Sequence, residues 1–252
     1  MKKLLIGFLI SVAACYCNAS IIKLSETDFN SGSGLITFSE FTLGTINPFY
    51  TPSDYGGAVT APNVSFDGWF TGQGLSTTPG VDCPGAVASA CIVGSPSGPL
   101  SLDTSSPDTR IVNDGANPTS PVLSGTPSFN GGIAVLFSTD QVGVGFEGGF
   151  FDSVGSTAIT AFDRSGNLIG SVSNTVTGIE FLGLAVSDGT ATIAGVFLDL
   201  VGAEPAGFAI DNIRFGQAKD IDVVTDVPEP TVLALLAMGL MGMAARRKRN
   251  LG

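Results

Sequence analysis

With no histidine among its 252 residues, the chain cannot assemble a Ser-His-Asp or Cys-His nucleophile, nor a zinc site that needs imidazole. The side chains left for chemistry are 22 carboxylates, four cysteines and a single tryptophan. Glycoside hydrolysis needs only two well-placed carboxylates, so that chemistry stays open, although no spacing marks a particular pair. Trp69 is the candidate for sugar contact. In residues 64–70, alternation puts Val64, Phe66 and Phe70 on one face and Ser65, Asp67 and Trp69 on the other. A ring on the outer face beside Asp67, with Tyr50 and Tyr55 close in sequence, could stack on a sugar. The competing reading packs Trp69 beneath a proline-rich segment. No Gly-x-Ser-x-Gly elbow or phosphate-binding glycine loop is present.

Asp163-Arg164-Ser165-Gly166-Asn167 has the acids and amides of a calcium loop. Leu168, however, stands where an EF-hand needs glycine, and no glutamate closes the loop at the twelfth position. A hairpin turn is the better reading. Calcium held by scattered acids and carbonyls stays a candidate cofactor without a nameable ligand set. No metal ligand and no other cofactor is assigned. The formal charge of −11 argues against nucleic acid as a partner, because phosphate binding depends on basic patches.

The two ends of the chain read as addresses. Lys2-Lys3, the apolar run 4–14 and small residues up to Ala19 form a secretory signal peptide, with cleavage expected after Ala19. An alternative is a lipobox at Val12-Ala13-Ala14-Cys15, which would make Cys15 lipidated and N-terminal. At the other end Pro228-Glu229-Pro230 precedes 15 uncharged residues, 231–245, and then Arg246-Arg247-Lys248-Arg249. This order resembles the PEP-CTERM sorting tail of exported bacterial proteins. The resemblance implies a membrane protease-transpeptidase of the exosortase type as partner, cleavage near the Pro-Glu-Pro motif, and transfer or release to the cell surface. Physics supports the tail independently. Fifteen helical residues span ~22 Å, short of the hydrocarbon core, but snorkelling arginines extend the reach. The prolines give the segment a hard N-terminal edge, and the basic cluster stays cytoplasmic. A single-span anchor that is never processed is the competing reading.

Removal of residues 1–19 takes Cys15 and Cys17 with it. Cys83 and Cys91 are then an even pair in an oxidising compartment, which predicts a disulfide rather than a redox or metal pair. The exported part also holds five bases against 21 acids, a net charge of −16, because six of the 11 bases lie in the two ends.

The elements that would position these groups are strands. Periodicity two recurs at 36–39, 133–137 and 142–146, and the runs 159–162 and 168–172 flank the Asp163–Asn167 turn as a hairpin. Ile193 to Leu200 is an apolar run of strand length. In Phe208-Ala209-Ile210-Asp211-Asn212-Ile213-Arg214-Phe215 the two apolar pairs are out of phase, so one extra residue at Asp211-Asn212 predicts a β-bulge. Eight of the 14 prolines fall in residues 76–129, which predicts long loops with short strands such as Arg110-Ile111-Val112. The expected fold is an all-β antiparallel sandwich over 20–218, flanked by the signal helix 1–19, an acidic spacer 219–226, and the sorting tail 227–252 with a transmembrane helix at 231–245. Residues 129–216 also resemble the closing part of sandwich domains common among PEP-CTERM proteins, which implies a jelly-roll-like form and no defined activity. The functional expectation is an exported, surface-sorted, non-enzymatic envelope or extracellular-matrix protein, resident at the inner membrane before processing. The alternatives are a carbohydrate-binding module of the polysaccharide matrix and, further off, a glycoside hydrolase.

Overall fold

A computed structural model describes residues 20–115 and 120–222. The expected signal peptide with Ala19, the Pro-Glu-Pro motif, the apolar segment and the basic cluster all lie outside the described residues. Among those described, no helix is long and apolar enough to cross a membrane.

The fold is a sandwich of two antiparallel sheets, as the period-two pattern predicts. The first sheet runs β1 (Ile21–Leu24), β13 (Gly178–Val186), β10 (Gly143–Phe151), β15 (Ala209–Gly216), β8 (Pro121–Ser124) and β7 (Arg110–Asn113), with β2 (Gly34–Ile36) also paired to β15. The second runs β12 (Leu168–Ser173), β11 (Thr157–Phe162), β14 (Ile193–Leu200), β9 (Ala134–Gln141), β4 (Val64–Asp67) and β3 (Phe49–Tyr50). A small third sheet pairs β5 (Gln73–Leu75) with β6 (Ile92–Gly94). Helix is confined, among the described residues, to one four-residue turn, α1 (Pro79–Asp82), and three 3-10 turns. The proline-rich region thus yields loops and short strands, including the predicted strand at Arg110.

The main core lies between the sheets and is rich in phenylalanine: Phe38, Phe66, Phe137, Phe146, Phe151, Phe208 and Phe215 are all buried there. Alternation decides which side chains reach it. On β9, Val135 and Phe137 point into the main core, whereas Ala134 and Leu136 point to a second cluster on the opposite face of the sheet. Loops carrying Phe70, Leu100 and Leu102 cover that outer face, which is why residues 193–200 are apolar on both faces as far as Leu198, with Asp199 the one polar interruption. The hairpin of β11 and β12 forms as expected. Its turn is closed by Asp163, whose carboxylate accepts hydrogen bonds from the Ser165 and Asn167 amides at 2.8 Å each.

The predicted bulge is present. Gly145 pairs with Arg214 and Glu147 with Asp211, two steps along β10 against three along β15. Asn212 takes a positive φ of 47° to absorb the extra residue, and Phe208, Ile210, Ile213 and Phe215 are all buried as a result.

Two expectations need correction. Phe70 does not share a face with Val64 and Phe66, because the strand ends at Asp67 and the chain turns at Gly68. Phe70 then enters the outer cluster and bridges to Leu102. The acidic spacer also begins later than residue 219. Asp220 and Ile221 are buried, Ile221 bridges to Phe29, and the Asp222 amide donates to the Asp28 carbonyl at 2.7 Å. The cause is a third apolar cluster of Leu24, Phe29, Val142, Ala185 and Ile221, which captures the one isoleucine of an otherwise acidic stretch.

Candidate functional site

The groups singled out in the sequence do not converge. Asp67 is on the outer side of its sheet, paired with Ala134, but only 6% exposed because loops cover that side. Its Oδ1 accepts hydrogen bonds from the Ser106 hydroxyl at 2.7 Å and the Gly68 amide at 2.9 Å. Burial pushes its carboxyl up, against the opposing pull of those two donors. Trp69 is half-buried against the outer cluster with Leu102 and Leu136. Its carbonyl accepts the Asp103 amide at 3.0 Å, so the proline-rich segment holds it by the backbone as well. Tyr50 is buried in the main core, edge-on to Phe38 and Phe66, and Tyr55 packs edge-on to Phe215. None of the three rings lies beside another as a sugar platform.

Cys83 and Cys91 are bonded to each other and buried in the main core. The loop they close is tied to the far side of the sandwich. The Val87 amide donates to the Glu204 carbonyl at 2.7 Å, and the Ser89 hydroxyl donates to the Asn130 carbonyl.

This loop belongs to one end of the sandwich, the tip, where several connections meet. Gly149 pairs with Ala209, Phe151 with Gly178, Thr157 with Leu200 and Ala158 with Ser173, so loops 151–157, 173–178 and 200–209 all emerge together. The opposite end of β10 and β15 is ~25 Å away along the strands, where Gly143 pairs with Gly216 and the chain runs on to Ile221.

The tip is both apolar and acidic. Phe150 is 59% exposed, and Val154, Val176, Ile179 and Val201 are exposed around the same loops. Beside Phe150 lies a hollow of about 170 Å³ lined by Asp114, Phe129, Asp152, Gly207 and Phe208. Glu147 and Asp211 line a smaller depression next to it, with Asn212 donating to the Glu147 carboxylate at 2.6 Å. Gly207 is required here. It has φ +83°, and a Cβ would stand 1.8 Å from the Phe129 carbonyl oxygen, which accepts the Phe208 amide at 2.7 Å.

Behind the hollow, Glu204 is fully buried. Its carboxylate accepts the Asp152 amide at 3.0 Å and the Ser156 hydroxyl at 2.8 Å. Desolvation, helped by the neighbouring Asp152 carboxylate, pushes it up to about 7. Burial likewise pushes Asp211 and Asp199 up to about 6.

Sequence reasoning passed over this tip because its parts are about 50 residues apart and none forms a motif. Its one local signal was Gly148-Gly149-Phe150-Phe151, two glycines and two aromatics where alternation breaks. A larger hollow of about 350 Å³ lies at the opposite end, lined by Tyr55, Gly57, Gln217 and Lys219. Among the described residues no group of three His, Cys, Asp or Glu could hold a metal ion.

Set against known proteins, residues 226–249 match the family model of the PEP-CTERM protein-sorting motif, the segment where the sequence resembles such a tail. No curated protein matches the chain. The motif is a sorting signal recognised by exosortase, a membrane protease, and it implies export and processing of a membrane-anchored precursor.

Proposed function

We propose that this PEP-CTERM sorting-motif protein is a non-enzymatic component of the cell surface or extracellular matrix. The reading is carried by one observation: the matched sorting motif is joined to a β-sandwich in a chain without histidine. Its jelly-roll-like character, two sheets closed over a phenylalanine core, suits a rigid carrier of loops. The signal peptide is cut after Ala19, so the folded chain starts next to β1. At the other end only residues 223–227 separate the described fold from Pro228, a reach of at most ~17 Å. In the anchored precursor that spacing keeps the Phe29–Ile221 end beside the membrane and the Phe150 tip away from it. Changing Pro228, Glu229 and Pro230 together to alanine should leave full-length protein in the membrane fraction. Normal surface release of that variant would overturn the sorting step, and turnover of matrix polysaccharides by purified protein would overturn the non-enzymatic role.

A second reading, carbohydrate binding, is favoured by the tip rather than by Trp69. An exposed phenylalanine beside carboxylates offers a stacking face and hydrogen-bond acceptors for hydroxyls. Binding to a glycan array that is lost in Phe150→Ala supports this reading. No binding by the native protein removes it.

A further inference from the structure

We propose that the hollow of about 350 Å³ at the opposite end from Phe150 binds one neutral pyranose sugar unit, at a site separate from the tip and independent of what the tip binds. The hollow opens between the ends of β9 and β15, one strand from each sheet, and segments 31–34 and 55–62 close its sides. Its size falls within the ~300–1,000 Å³ of small-molecule sites. The residue that points to a ligand is Gln141, which lines the hollow although it is only 1% exposed. Its Nε2 donates to the Thr139 carbonyl at 2.6 Å, which fixes the way the amide faces. No group among the described residues donates to its Oε1. A buried amide oxygen without a donor is costly, so a donor from outside the fold completes this wall.

The other walls define what carries that donor. The charged side chains lining the hollow are Lys219 and Asp220, and they pair with each other at 2.7 Å. The walls therefore carry no net charge, and an ionic ligand gains nothing from them. The hydroxyls of Ser31, Thr60 and Thr139 belong to exposed residues and make no hydrogen bond among the described residues. An apolar ligand would leave these three groups and Gln141 unmatched. They come from three separate segments rather than from one strand edge, which suits a compact ring and not an extended peptide. Tyr55 supplies an apolar wall. Its ring is held edge-on to Phe215 at 5.3 Å, and its hydroxyl donates to the Pro62 carbonyl. A Cβ at Gly57 would stand 2.4 Å from that ring, so only glycine lets the loop lie against it. A small neutral molecule with hydroxyls around its rim and C–H groups on one face matches the whole set, and a pyranose has that form.

Chemical-shift mapping on the exported protein tests the site, with methyl glucopyranoside, methyl galactopyranoside and N-acetylglucosamine as separate probes. At least one should bind saturably and shift the Gln141 side-chain amide together with the Gly57 and Gly216 backbone amides. Phe150 and Gly207 at the tip should stay still. Gln141→Leu keeps the bulk and removes the acceptor, and it should weaken that probe about tenfold, the scale of one lost hydrogen bond. Should this variant not fold, Thr60→Val combined with Thr139→Val, both at exposed positions, should weaken the same probe to a similar degree. The proposal is overturned if no probe binds at tens of millimolar, the result expected of a hollow that holds only water. It is also overturned if the folded variants bind as well as the native protein. Shifts confined to the tip would overturn it too, while supporting the tip as the carbohydrate site.

Discussion

The two ends of the sandwich solve opposite problems. At the tip, loops that would otherwise be mobile are pinned by a covalent bond, by the buried Glu204 carboxylate that accepts the Asp152 amide, and by a close backbone approach at Gly207. At the opposite end the chain is held by the small cluster around Phe29 and Ile221, by a Phe29–Phe181 ring contact at 5.8 Å, and by two ion pairs with exposed members. Exposed ion pairs contribute little, so the grip there comes from one modest apolar patch. A loop end that presents a surface has to keep its shape. An end from which a processed tail departs needs only a stop.

That contrast can be broken by substitution, beginning at the tip. Gly207→Ala forces a side chain into the Phe129 carbonyl at a positive φ and should cost about 3 kcal/mol or more in urea unfolding. Replacing Cys83 and Cys91 with serine opens an eight-residue separation and should cost about 2.5 kcal/mol in the chain-entropy model. Amide exchange in that variant should rise in loop 200–209 and not around Ile221. At the tail end Ile221→Ala should cost about 2 kcal/mol, the low end for a buried isoleucine in a small cluster. It should also increase proteolysis in residues 217–222 without changing exchange at the tip.

The effect of pH sharpens the comparison. Glu204, Asp199 and Asp211 have folded-state values raised above their unfolded ones, to about 7, 6 and 6. The folded state therefore binds their protons more tightly, and their contribution is fully present below about pH 4 and lost as pH rises towards 7. Asp163 and Glu180 behave oppositely. Although burial alone would raise them, hydrogen bonds to each hold them low, and Lys23 adds to those on Glu180, so their contribution is lost in acid. The unfolding temperature should accordingly peak at mildly acidic pH and fall by pH 8. A flat profile between pH 5 and 8 would contradict the raised values. The smallest effect separates the two aromatic candidates. Phe150→Ala should change stability by less than about 0.5 kcal/mol, whereas Trp69→Ala should cost about 1 kcal/mol because Trp69 packs on Leu102 and Leu136.

Much of the fold was legible because alternation is a local signal. The hairpin across Asp163–Asn167 followed from turn residues between two alternating runs. The bulge at Asp211–Asn212 followed from a phase error that only one extra residue repairs. The disulfide needed only compartment and parity. Phe70 was placed on the wrong face because alternation was carried past Asp67, where the strand ends and the chain turns Phe70 into the outer cluster. The spacer was placed early because the three acids Asp220, Asp222 and Asp226 outweighed Ile221 in composition, although one buried isoleucine is enough to dock three residues.

The sequence by itself determined the C-terminal sorting motif and the class of the fold: an excess of 21 acids over five bases in residues 20–226, strands rather than helices, and no imidazole chemistry. These properties reside in single residues or in short runs, where composition and spacing suffice. Only the tertiary structure decided which acids are buried, which aromatic faces solvent, and that residues 87, 152 and 204 meet at the tip. Such facts depend on strand pairings between distant segments, and it is pairing, not spacing, that sets the surroundings of a carboxyl group.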